Sequence, residues 1–201
     1  MVKKEISGKR DADLEALKEL LPAQDILTFF FEDAAKRQYV CIFADALTDK
    51  DLLAEQALRP LSGYDGAPQA ECIAQHVLSP EVRTQKNVKE LAGEVLAGNP
   101  VLLWEGADAG LIVGTKKVAV RAVAEPPTDV AIKGPREGFI EDVKTNTSLV
   151  RRRLKTGELM IEMLTVGRRS ATSVALCWLE GTCRKDIVEA IRSKLEKIDI
   201  D

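Results

Sequence analysis

GPREGFIEDVKTNTSLVRRRLKTGELMIEMLTVGRRSATSVALCWLEG, residues 134–181, sets the architecture of this chain. Pro135 presets φ and has no N–H to lose at a first helical position, and Glu137 faces the positive end of the helix dipole. The spacing predicts a helix over 135–156, stopped by Gly157. At about 100° per residue, Phe139, Ile140, Val143, Thr147, Val150 and Leu154 share an arc of roughly 100°, a stripe built for burial, with Arg152 on the opposite side. Two β-rich runs, 158–166 and 172–179, then flank a Gly-Arg-Arg turn, and a helix over 184–197 completes a ββα unit.

Working outward, residues 11–21 place Leu14, Leu17 and Leu21 at helical spacing and end at Pro22, which predicts a short peripheral helix behind a fraying N-terminus. Strands follow over 25–31 and 39–44. Thr48 and Asp51 read as a capping box that opens a helix to about residue 61. Residues 62–68 are loop, 70–78 suit either strand or helix, and 84–97 read as a helix stopped by Gly98-Asn99-Pro100. The runs VLLWEG, AGLIVG and KVAVRAV predict an antiparallel meander. A Pro126-Pro127 pair cannot continue a central strand, so 124–134 is the expected domain junction.

With an offset of 135 residues, strand 25–31 falls on 160–166, strand 39–44 on 174–179 and helix 48–60 on 183–195, a pattern of duplication or of shared ββα grammar. The expected fold is α/β: an N-terminal extension with a short helix (1–23) and two subdomains of mixed sheets with helices (24–127 and 128–201), each with one ββα unit. Alternation puts Leu27, Phe29, Val40, Ile42, Leu52 and Leu103 in the first core, and Ile140, Val143, Val150, Leu176, Trp178 and Ile187 in the second.

A chain of 201 residues, 45% apolar and 30% charged, has a globular composition. No apolar run approaches a membrane span and the N-terminus lacks an apolar signal core, so a cytoplasmic location is expected of this stretch. Cys41, Cys72, Cys177 and Cys183 show no C-x-x-C spacing and His76 is the sole histidine, which argues against a metal site. Cys41 and Cys177 lie in apolar runs and read as buried, inert thiols. Gly110 to Lys116 is one residue short of a phosphate-binding loop and runs into a strand, and Asn146-Thr147-Ser148 matches a glycosylation acceptor only in the middle of a helix. No nucleophile, base and oxyanion set can be assembled, so neither enzyme nor cofactor is expected.

Arg151, Arg152 and Arg153 allow three readings. As the last turn of a helix they offset its dipole; as an exposed cluster they contact an anion on another domain or subunit; as a basic face they meet a phosphate backbone. The third is disfavoured by 29 Lys and Arg against 32 Asp and Glu.

The P-R-E-G-F entry at 135–139, T-N-T-S-L-V-R-R-R-L at 145–154, V-G-R-R at 166–169 and the strand closing in Glu180-Gly181 resemble, in order, the pattern of spore germinant receptor A subunits. Weaker likeness covers YVCIFADALTDKDLLAEQALRPL and ELAGEVLAGNPVLLWEGADAGLIV, so the resemblance spans roughly 24–201. Asp45-Ala46 stands where Asp-Gly is usual. The resemblance implies the cytosolic N-terminal domain of a spore inner-membrane subunit that works with B and C subunits and other A subunits to couple nutrient to germination. The paralogous stage V sporulation protein AF shares this layout. Candidate interface or anion contacts are Arg136, Glu137, Arg151, Arg152, Arg153, Arg168 and Arg169. The alternative is a sensing module whose inter-subdomain cleft holds a small anion through Arg136, Arg168 or Arg169.

Overall fold

The computed structural model describes residues 5–117 and 138–199. The order is α1 (Arg10–Leu20), β1 (Ile26–Glu32), β2 (Gln38–Ala44), α2 (Lys50–Leu53) running through a π-helical segment (Ala54–Leu58) into α3 (Arg59–Ser62), then α4 (Ala70–Ala74), β3 (Val82–Gln85), α5 (Val88–Ala97), β4 (Val101–Trp104) and β5 (Gly110–Val113). After the undescribed stretch come α6 (Val143–Arg153), β6 (Leu159–Val166), β7 (Thr172–Leu179) and α7 (Lys185–Leu195). The class is α/β, as expected. Every described strand pair is antiparallel, so the sheets are not mixed: one has five strands in the order β1-β2-β4-β5-β3, and the other is the β6-β7 hairpin.

The five-stranded sheet lies between two helical layers, which is why its central strands read as continuous apolar runs. One face buries Tyr39, Cys41, Leu102, Trp104 and Leu111 against Leu53, Ala57, Leu61 and Ile73. The other buries Val40, Ile42, Leu103 and Ile112 against Leu14, Leu17, Leu91 and Val95. α1 is therefore part of this core and not peripheral. Its lead-in is tied down too, because the Ile6 N–H donates to the Lys86 carbonyl (2.9 Å) and Ser7 hydrogen-bonds the Asp13 carboxylate.

Edge position overrides alternation in β1. Helices cover the centre of the sheet, so Leu27 and Phe29, expected in the core, lie exposed together with Phe30, while Val40, Ile42 and Leu103 are buried. Leu52 is exposed as well. The N-cap of α2 is Asp49, whose carboxylate accepts from the Asp51 and Leu52 N–H groups, and the Thr48 hydroxyl instead donates to the Gly98 carbonyl. Pro60 has no N–H for the Gln56 carbonyl four residues back; that carbonyl accepts from the Leu78 N–H at 2.7 Å, and the backbone widens into the π segment beside it. The helix expected from residue 84 starts later, capped by Asn87, because Val82–Gln85 pairs with the free side of β5. The third meander strand and the 124–134 junction fall almost wholly outside the described residues.

α6 starts at Val143, eight residues after the expected Pro135, with Asp142 as its N-cap, the carboxylate accepting from the Thr145 N–H. Residues 138–142 are non-helical, and the Asn146 side chain holds them by bonding both the N–H and the carbonyl of Ile140. Phe139 and Ile140 therefore fall outside the helix, and the Arg151 ion pair with Asp25 turns the side carrying Thr147, Ser148 and Arg151 inward, with Leu149 also buried, Phe139 and Leu154 exposed and Ile140, Val143 and Val150 half-buried. Leu176 and Trp178 are also half-buried and Ile187 is exposed, so the interior here is formed by Leu149, Leu159, Ile161 and Val188. Cys41 is buried, but Cys177 is exposed.

The two ββα units share order and loop length. Ile26 pairs with Ala44 and Met160 with Trp178, so both strands of the hairpin recur at an interval of 134 residues, with five-residue connections 33–37 and 167–171. The helices start at Lys50 and Lys185, an interval of 135.

Candidate functional site

The strand pair Ile26 and Ala44 brings two acids together at the open end of the β1-β2 hairpin, where the Asp45 N–H donates to the Asp25 carbonyl at 2.9 Å. α6 crosses this end. Lys144 and Arg151 are seven residues apart, close to two full turns, so both project from one side of the helix. Each takes one acid.

Arg151 is 1% exposed and makes four hydrogen bonds. Its Nε and Nη2 donate to the two carboxylate oxygens of Asp25 at 3.0 and 2.6 Å, Nη2 also donates to the Leu159 carbonyl at 3.0 Å, and Nη1 to the Thr156 carbonyl at 3.1 Å. The planar guanidinium thus satisfies a carboxylate fork, the turn after α6 and the start of β6 at once, a geometry an ammonium cannot reproduce. Lys144 sits 3.1 Å from one Asp45 oxygen and Lys50 lies against the other. Burial alone would raise the Asp45 pKa, but hydrogen bonds from Lys50 and Lys144 outweigh it and hold the carboxyl below its ordinary value.

Two backbone contacts close the joint. The Met163 N–H of β6 donates to the Gln24 side chain at 3.3 Å. A Cβ on Gly157 would stand 2.1 Å from the Leu20 carbonyl at the end of α1. Gly157 does not stop α6, whose C-cap is Leu154; it lets the following turn touch α1.

The predicted arginines are thus dispersed. Arg151 is in the joint. Arg152, half-buried, turns back to the Ser148 carbonyl and hydroxyl at 3.4 and 3.3 Å. Arg153 is exposed at the end of α6, and Arg169 lies in the exposed 167–171 turn. Arg168 forms a surface ion pair with Asp199. Arg136 and Glu137 lie outside the described residues. Sequence reasoning missed Asp25, Asp45 and Lys144. Pairing the strands places the two acids side by side, but nothing local to residues 25 or 45 signals partners 126 and 99 residues away.

The model of the Bacillus/Clostridium GerA spore germination protein family matches residues 15–201. The chain belongs to the GerA family. Among its relatives in Bacillus subtilis (strain 168), spore germination protein B1 is 30% identical over 98% of this chain and 42% of its own length. Spore germination protein KA is 32% identical over 80% of the chain and 30% of its own length, and the uncharacterized membrane protein YfkQ is 30% identical over 96% and 43%. The chain therefore spans less than half of these GerA relatives. The fold matches the crystal structure of the N-terminal domain of the A subunit of the Bacillus megaterium spore germinant receptor GerK3, with a TM-score of 0.74 over 100% of this chain and 76% of that one, at 22% identity. No helix among the described residues is long and apolar enough to cross a membrane.

Proposed function

We propose that this chain is the N-terminal domain of a germinant receptor A subunit at the spore inner membrane, and that it works without catalysis, in receptor assembly and in coupling nutrient binding to germination. Family membership over residues 15–201 supports this reading. The domain is divided into 24–127, with α1 of the preceding residues 1–23 packed on its sheet, and 128–201, and it partners with the B and C subunits and other A subunits. Its working part is the joint at which Arg151 and Lys144 of α6 hold Asp25 and Asp45 at the base of the first sheet. Because Arg151 also fixes the Thr156 and Leu159 carbonyls, a displacement of the β6-β7 hairpin is carried into the five-stranded sheet.

The test is made in spores of the organism that carries this chain. Asp25→Asn, which keeps the shape but leaves the Arg151 charge uncompensated, should loosen the joint and slow nutrient-triggered germination by more than any accompanying fall in receptor level. Normal germination at normal levels would overturn the proposal. The alternative, an anion held by Arg136, Arg168 or Arg169, has less support, since Arg168 already pairs with Asp199. It predicts a thermal shift of the chain with millimolar anion, which the coupling reading does not.

A further inference from the structure

Charge is divided unevenly between the two described stretches. Residues 5–117 carry 12 Lys and Arg against 19 Asp and Glu, whereas residues 138–199 carry 12 against 9. On that cationic side the exposed apolar surface follows a pattern. Ile187 and Ile191 of α7 are 45% and 41% exposed, and Ile198, in the turn that prolongs the helix through its bond to the Leu195 carbonyl, is 38% exposed.

Around the α7 axis, at about 100° per residue, Ile187, Ile191 and Lys194 share an arc of roughly 60°, while Glu189 and Glu196 point roughly the opposite way. Val188 is buried and Arg192 bonds Glu162 of β6, so the side of α7 that meets its own sheet is already accounted for. At the start of the helix Arg184 pairs with Asp186 and Lys185 with Glu180. Lys194 and Lys197 have no ion-pair partner among the described residues.

An isoleucine stripe rimmed by lysines, with Glu189 and Glu196 turned away, is the pattern of a helix that lies in a lipid headgroup layer. We propose that this face of α7, with Ile187, Ile191, Lys194, Lys197 and Ile198, rests on an anionic phospholipid surface. The inference rests on the reading of the chain as a domain of an inner-membrane protein, and adds which face meets the bilayer. It places the acidic first sheet away from the leaflet, where like charge would otherwise repel it.

The experiment is co-sedimentation of this 201-residue chain with vesicles of phosphatidylcholine, with and without 30 mol% phosphatidylglycerol. Binding to the anionic vesicles should exceed binding to the neutral ones at least tenfold and weaken as salt rises. Ile187→Glu/Ile191→Glu and Lys194→Glu/Lys197→Glu should each lower it at least tenfold with an unchanged circular dichroism spectrum, whereas Phe29→Glu/Phe30→Glu on β1 should leave it unaltered. Equal binding to both vesicle types, no binding, or loss of binding through the β1 variant would overturn the proposal. So would a change in self-association caused by the isoleucine variants without any vesicle binding, which would make the stripe a protein contact. Germination of Asp25→Asn spores tests the receptor reading separately, so failure of one is distinguishable from failure of the other.

Discussion

Arg151 and Asp25 form a two-point ion pair that joins α6 to the start of β1 across 126 residues of sequence, with the guanidinium 1% exposed. Removing one member of such a pair leaves the other charge buried and uncompensated, whereas removing both can be nearly neutral. Arg151→Met should therefore destabilise the chain by about 3–5 kcal/mol in urea denaturation, and Asp25→Leu added to it should recover much of the loss. A double variant no better than the single one would show that the bonds to Thr156 and Leu159, not the ion pair, dominate.

Asp45 gives the chain an acid-sensitive contact. Its carboxyl titrates below the ordinary value because Lys50 and Lys144 outweigh the effect of burial. A lowered folded-state pKa adds stability that is fully present above the unfolded value of about 3.9 and is lost as pH falls through the folded one. Asp45→Asn should thus be less stable than the parent above about pH 5, by about 1 kcal/mol after allowance for solvent screening, with the gap closing toward pH 2. Urea midpoints across that range provide the check.

Gly157→Ala should be costly although no unusual backbone angle is involved. Its Cβ would fall 2.1 Å from the Leu20 carbonyl, backbone against backbone, so the turn after α6 must move away from α1. A loss of about 1–3 kcal/mol is expected, with the largest amide shifts by NMR at residues 20–25 and 154–159.

Pro60→Ala restores an N–H that competes with Leu78 for the Gln56 carbonyl. Amide exchange at Leu78 should accelerate, and the 54–58 segment should relax toward α-helical geometry.

Much of this architecture was legible because period and punctuation agree. The β1-β2 and β6-β7 hairpins, α7 and the Asn99-Pro100 break follow from apolar runs bounded by turns. What failed did so for identifiable reasons. Pro135 and Glu137 point to a helix start that the Asp142 cap and the Asn146 clasp place later, and an apolar stripe cannot show that an arginine, Arg151, is the side chain drawn inward by a distant acid. Alternation puts Leu27 and Phe29 inside because it tells faces apart but cannot show that β1 is the edge of the sheet. Of the candidate site, the arginine triplet was visible as a cluster; its acid was not, since that depends on long-range packing.

The separation in sequence between Arg151 and Asp25 also bears on the order in which the molecule assembles and comes apart. The β6-β7 hairpin closes through a five-residue connection, a local event, but its anchor to the first sheet must wait for a closure spanning most of the chain. With its interior limited to a few side chains, the α6-β6-β7 region should open as one unit below the free energy of global unfolding. Native-state hydrogen exchange should accordingly find Ile161 and Leu149 amides opening together and more readily than Ile42 or Leu103, so that one arginine sets the lifetime of the connection between the two sheets.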